Sequence, residues 1–281
     1  MHFIEIIKIF FLGIIEGVTE WLPVSSTGHM LLFNALFPLQ LEKKFTDVLF
    51  YFIQLGAIFA VLILFWKKLF PFKRVDTGTS SSKKLVADKG VLTLWGKVLV
   101  ACVPAVIGIA FELPDAPLLI AVALIVYGVA FIVIENANKN KTFAVHSTED
   151  ISYKQALIIG LFQLLAIIPG TSRSGATILG ALLIGISRPT AAEFTFFLAI
   201  PVMAGASAIQ ILKYLLAYGM FTWGEIGYLL ISAAVAFLVS LITVKFLMNF
   251  VKKHDFKVFG WYRIVLGAVV IATLVLPTFF A

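Results

Sequence analysis

Apolar runs make up most of this chain, and their lengths separate its parts. Six are long enough to cross a bilayer, which takes about 20 apolar residues per helix. They read as spans at 48–66, 91–111, 118–134, 194–212, 226–250 and 261–277. Four others are too short. Ile4 to Thr19 covers sixteen residues before Glu20 and Pro23 interrupt it, and Met30 to Leu39 follows at ten. Ala156 to Ile168 covers thirteen before Pro169-Gly170, and Ala176 to Ile186 covers eleven. Two half-length helices around a polar break are expected to enter and leave the membrane by one face. Such backbone is tolerated at that depth only where protein or a water-filled cavity surrounds it. The pattern therefore predicts an all-α polytopic membrane protein in a single domain over 1–281, with about six transmembrane helices and two re-entrant helix pairs.

A repeat underlies the pattern. Shifted by 147, Gly13 and Glu16 fall on Gly160 and Gln163, and Ser25-Ser26-Thr27-Gly28 falls on Ser172-Arg173-Ser174-Gly175. A shift of 146 places Pro23 on Pro169 and Asp47 on Glu193. The halves, about 1–136 and 150–281, each begin with a broken helix and continue with three spans. An odd number of spans inverts one half relative to the other. That inverted-topology repeat puts sites near the midplane, at the discontinuous helices.

Composition agrees. The chain is 61% hydrophobic and 13% charged, against roughly 25% charged in a soluble domain. Cys102 is the single cysteine, which excludes a disulfide framework within the chain and a Cys-rich metal site. The net charge of +7 reads as topology, with no nucleic-acid partner, because the basic residues cluster between the spans. The loop 67–90 carries seven Lys/Arg around a flexible TGTSSS centre, which places it in the cytoplasm. Lys97, just inside the next span, is then expected to snorkel to the surface. The turn Glu112 to Asp115 faces out, and the loop holding Lys252, Lys253, His254 and Lys257 faces in. Lys8, Lys43 and Lys44 stand against this orientation. Glu5 and Lys8 in the first apolar run argue against a signal peptide.

The chemistry sits at the two breaks, in EGVTEWLPVSSTGH (16–29) and PGTSRSGAT (169–177). Glu16 and Glu20, four apart, stack on one helical face and can hold a divalent cation such as Mg²⁺, which takes one or two carboxylates plus phosphate oxygens. As isolated residues of a soluble protein they would be a solvated helix end, but charge at membrane depth marks a site. Pro23 to Gly28 looks like a helix N-terminus with Ser25 or Ser26 as cap, and its free N–H groups form an anion site. Two serines, Thr27 and His29 exceed what a cap requires. His29 lies three residues after Ser26, so Ser26 can attack phosphorus with His29 as base, or His29 can attack itself. Arg173 offers a fork of donors that fits phosphate, and Thr171, Ser172, Ser174 and Thr177 add hydroxyls. The plainer reading of Arg173 is an ion pair with Glu16, Glu20 or Glu193 that holds the halves together. His2, His146 and His254 read as solvated, and the small-residue stretch 202–208 as a close helix contact.

These two motifs, at this separation, closely resemble the two consensus regions of the undecaprenyl-diphosphate phosphatase family, also called bacitracin-resistance proteins. The likeness runs over essentially the whole chain, including AAEFTFFLAIP (191–201). It implies hydrolysis of undecaprenyl diphosphate to the monophosphate and inorganic phosphate, which recycles the lipid carrier of cell-wall synthesis and confers bacitracin resistance. It also implies a multi-pass protein of the bacterial plasma (inner) membrane, with its site open to the periplasmic or outer face. Carried onto matching positions, Glu16 and Glu20 hold Mg²⁺ or Ca²⁺ or assist proton transfer. Ser26 and His29 are the nucleophile and base, and Arg173 clamps the diphosphate with Ser172 and Thr177. The expected partners are a polyprenyl diphosphate lipid and the bilayer, with a homodimer left open. A transporter or flippase of a phosphorylated polyprenyl lipid is the rival reading, since inverted repeats and broken helices suit transport equally.

Overall fold

A computed structural model describes residues 2–76, 83–108, 113–114 and 116–277. The TGTSSS centre, the end of the second predicted span and the acidic residues of the 112–115 turn lie outside the described residues. Eleven helices are described: α1 (Phe3–Thr19), α2 (Ser26–Leu36), α3 (Lys43–Leu64), α4 (Trp66–Leu69), α5 (Lys89–Gly108), α6 (Pro117–Ala137), α7 (Tyr153–Leu164), α8 (Arg173–Leu183), α9 (Arg188–Tyr218), α10 (Trp223–Phe250) and α11 (Lys257–Val270). Six are long and apolar enough to cross a membrane, with α11 continued by a π-helical turn to Val275. These are the six predicted spans. Helices α3 and α9 begin about five residues earlier than expected, because the polar starts at Lys43 and at Arg188-Pro189 form first turns of the same helices.

The chain is not purely helical. Within the basic loop, β1 (Phe72–Asp76) and β2 (Lys83–Ala87) pair as an antiparallel hairpin. The strand sequences FKRVD and KKLVA carry no apolar–polar alternation that would have announced them.

Close helix contacts form where a glycine faces a neighbouring backbone. A Cβ added at Gly56 of α3 would lie 2.0 Å from the Ala233 carbonyl oxygen on α10, and one at Gly160 of α7 would lie 2.3 Å from that of Ala101 on α5. Without a hydrophobic drive between helices in lipid, this approach is how they associate. The expected contact at 202–208 is only partly there. A Cβ at Gly205 would meet nothing within 4 Å, whereas Ser207 donates to the Tyr51 carbonyl at 2.6 Å. Capping boxes start two helices: Ser152 with Gln155 opens α7, and Thr222 with Glu225 opens α10.

Two charged residues depart from expectation. Lys97 reaches the 138–152 loop, donating to the Glu149 carbonyl at 2.6 Å, but it is buried there instead of ending in solvent. Glu193 does not meet Arg173. It takes Lys68 Nζ at 2.8 Å on both oxygens and accepts from Thr148 Oγ1 at 3.3 Å, because α9 carries it to the hairpin end of the molecule.

Candidate active site at two broken helices

Pro23 and Pro169 mark the breaks. Proline supplies no backbone donor and restricts the residue before it, so α1 and α7 stop short. The chain restarts as α2 and α8 through serines in the left-handed region, Ser25 at φ 74° and Ser172 at φ 68°. Among the described residues no other non-glycine has positive φ. Each caps its helix by accepting from a glycine N–H three residues on, Ser25 from Gly28 at 3.4 Å and Ser172 from Gly175 at 3.1 Å. Such backbone costs about 1–3 kcal/mol and clusters at functional sites. Positions 147 apart thus share one local geometry.

Glu20 joins the two turns. Its Oε1 accepts from Arg173 Nη2 at 2.8 Å and its Oε2 from Ser26 Oγ at 2.7 Å. Ser174 Oγ donates to the Glu20 carbonyl at 3.1 Å, so the second turn also grips the first by its backbone. The N-termini of α2 and α8 therefore lie side by side, each with the N–H groups and dipole end that favour an anion. Arg173 Nη1 is buried and makes no hydrogen bond. One turn before Glu20, Glu16 is fully buried and neither carboxylate oxygen has a partner. Buried carboxylates are ordinarily paired or bound to metal.

His29 is held on both sides. Nδ1 lies 2.7 Å from the Ser25 carbonyl and must donate to it, because a carbonyl only accepts. In the neutral ring, that leaves Nε2 to accept from the Tyr262 hydroxyl at 2.7 Å. The two rings stack at 5.6 Å. The expected Ser26–His29 contact is replaced: the helix turn that sets the two three apart points His29 to its own cap and to α11, while Ser26 turns to Glu20.

Arg263 was not singled out from the sequence, and it ties the site together. It is fully buried on α11, donating through Nη2 to the carbonyls of Gly170 at 2.9 Å and Thr171 at 2.8 Å, and through Nη1 to that of Pro23 at 3.2 Å. One guanidinium thus clasps both breaks. Being the one arginine in the apolar run 261–277 is the signal that was there to read.

The remaining candidates divide. Ser26, Thr27, Ser172 and Arg173 are partly exposed at the two turns. Ser174 and Thr177 are buried and serve as scaffold rather than as open hydroxyls. Thr177 Oγ1 donates into the α8 backbone and accepts from Thr195 Oγ1 at 2.9 Å. Thr171 is fully buried and its hydroxyl has no hydrogen bond. No group of three or more His, Cys, Asp or Glu side chains gathers among the described residues. A divalent cation would be limited to two carboxylates, and the unpartnered oxygens of Glu16 beside Glu20 suit one whose other ligands are phosphate oxygens and water.

Comparison with known proteins follows the same line. The family model described as "Bacitracin resistance protein BacA" matches residues 9–269. The undecaprenyl-diphosphatase of Enterococcus faecalis is 56% identical over 278 residues, covering 96% of this chain and 98% of that protein. That of Lachnoclostridium phytofermentans is 53% identical over 275 residues, covering 96% and 97%. That of Desulfitobacterium hafniense is 51% identical over 279 residues, covering 96% of each.

Proposed function

The chain belongs to the bacitracin resistance protein BacA family, and from that premise we propose how its two breaks carry out the reaction named for its relatives. It hydrolyses undecaprenyl diphosphate to undecaprenyl phosphate and inorganic phosphate, an activity that fits bacitracin resistance. The observation that carries the site assignment is Glu20, bonded at once to a serine hydroxyl on α2 and to the guanidinium on α8.

The terminal phosphate lies between the N-termini of α2 and α8, against Arg173 Nη1, with the Thr27 and Ser172 hydroxyls at its edge. Ser26 Oγ attacks its phosphorus while Glu20 takes the hydroxyl proton. The new Ser26 O–P bond replaces the P–O bond to the lipid phosphate, whose oxygen leaves with the electron pair. Water then cleaves the phosphoserine, its proton passing to the Tyr262 hydroxyl as that hydroxyl's own proton moves to His29 Nε2. Arg173 and the two helix dipoles stabilise charge on the transferring group, the main task in phosphoryl transfer. Glu16 and Glu20 are the residues that would hold Mg²⁺ or Ca²⁺, and the cation would add positive charge beside the phosphates. Polyprenyl transport does not require the Ser26–Glu20 pair, which favours hydrolysis over the transporter reading.

The α1/α2 and α7/α8 pairs are read as re-entrant from opposite faces, in halves about 1–136 and 150–281 that form one membrane domain. The hairpin faces the cytoplasm of a bacterial inner membrane and the site opens outward. Lys8 and Lys44, which opposed this orientation, each meet a carboxylate: Lys8 pairs with Glu5 at 2.8 Å and Lys44 with Glu42 at 2.7 Å. The test is phosphate release from a prenyl diphosphate by purified protein, with and without EDTA and with added Mg²⁺ or Ca²⁺. Cation-restored release that falls at least about 100-fold in Arg173→Ala supports the reading, and unchanged release in that variant overturns the site.

A further inference from the structure

On the hairpin end, away from the two breaks, two cavities adjoin. One, of about 520 Å³, opens between α3, α9, α10 and the 146–148 segment, with Lys68, Lys245, Lys252 and Glu193 in its wall. The other, of about 240 Å³, lies behind the α10–α11 turn and takes Lys139, Arg188, Lys252 and Lys253 together with Glu135 and Asp255. Lys252 lines both.

The carboxylates there already have counter-ions. Glu193 holds Lys68 at 2.8 Å, Glu135 takes Arg188 Nε at 2.9 and 3.0 Å, and Asp255 pairs with Lys257 at 3.0 Å. Lys139, Lys245, Lys252 and Lys253 are left with no ion pair or side-chain hydrogen bond among the described residues. Four exposed ammonium groups without a carboxylate partner thus line two cavities that share Lys252, an arrangement that attracts an anion. The larger cavity has an apolar wall of Leu64, Phe65, Val244 and Met248 beside its charges. Its size is that of a small-molecule site, and charge beside apolar surface suits a ligand that is anionic at one end and apolar at the other.

We infer that these cavities bind the phosphate headgroup of an anionic phospholipid, with Lys252 central and the glycerol and first acyl carbons against Phe65 and Met248. Basic pockets between transmembrane helices take such headgroups in kind. A free phosphate offers the same charged chemistry without the apolar part. The inference does not depend on which reaction the breaks perform.

The test uses full-length protein in nanodiscs of zwitterionic phosphatidylcholine containing a small fraction of phosphatidylglycerol, with lipids retained after detergent extraction read by native mass spectrometry. Wild type is compared with K245Q/K252Q, with K139Q/K253Q and with K43Q/K44Q at the opposite end. A lysine near an anionic headgroup contributes about fivefold in affinity. K245Q/K252Q is therefore expected to lose about 25-fold in anionic-lipid retention, with K43Q/K44Q unchanged. Retention that survives millimolar inorganic phosphate assigns the site to lipid; retention competed away by it assigns the site to the free anion and overturns the lipid. Equal retention by all four proteins, or equal retention of phosphatidylcholine, overturns the site itself. Phosphate release is followed in parallel, so a failed lipid result stands apart from a failed phosphatase reading.

Discussion

Replacing Arg263 by methionine removes the clasp while keeping much of its volume. Three strong bonds go, at 2.8 Å to Thr171, 2.9 Å to Gly170 and 3.2 Å to Pro23, along with a long, weak one at 3.5 Å to the Leu124 carbonyl. Hydrogen bonds from a charged group contribute about 1.5–3 kcal/mol each, so the gross loss is about 4–9 kcal/mol. Methionine no longer buries a charge, which offsets several kcal/mol. The net destabilisation is then about 2–4 kcal/mol. Its effect falls on the two turns, because the lost acceptors are the backbone carbonyls of the breaks. A misplacement of about 1 Å at reacting groups costs on the order of 100-fold in rate. Arg263→Met is therefore expected to lower kcat about 100-fold with a much smaller change in KM, since Arg263 touches the turns and not the substrate. Arg263→Lys, which keeps the charge but not the fork, falls between. The assay is steady-state phosphate release from a prenyl diphosphate, with thermal unfolding followed on the same samples. A folded Arg263→Met protein with kcat within about twofold of wild type refutes the clasp.

Other changes separate site from scaffold. Glu16→Gln removes a buried carboxylate that has no partner. It is expected to leave the melting temperature unchanged or raised while phosphate release falls at least about 100-fold; a lowered melting temperature with full activity contradicts the role given to Glu16. Lys68→Ala leaves Glu193 with only Thr148, and should cost about 1–2 kcal/mol by denaturation with no change in phosphate release. Gly56→Ala drives a Cβ to 2.0 Å from the Ala233 carbonyl, so it should destabilise by about 3 kcal/mol or more, whereas Gly205→Ala, with open space around it, should be neutral or slightly stabilising.

The six spans were legible because a membrane helix announces itself by composition and length alone, with no partner needed. The breaks were legible for the opposite reason: Glu20, Pro23, Pro169 and Arg173 are costly where they stand. Partners were less so. Sequence spacing put His29 on the same helical face as Ser26, but which group a side chain meets is decided by what the other half brings, and here it brings Tyr262 to His29; of the three carboxylates open to Arg173, it selects Glu20. Glu193, one of the three carboxylates open to Arg173, meets Lys68 from 125 positions away instead. The strands 72–76 and 83–87 were hidden because an exposed two-stranded ribbon needs no apolar face. Arg263 was passed over as one charge in a long apolar run, although the cost of burying it was the clue.

The most direct measurement is to mix enzyme with prenyl diphosphate carrying a labelled terminal phosphate, quench within one turnover in both acid and alkali, and locate the label by peptide mass spectrometry. The account predicts phosphate on the Ser26 hydroxyl in wild type, more of it in His29→Ala, and none in Ser26→Ala, which should also release no phosphate. Label on the His29 ring, or steady phosphate release from Ser26→Ala, would contradict it.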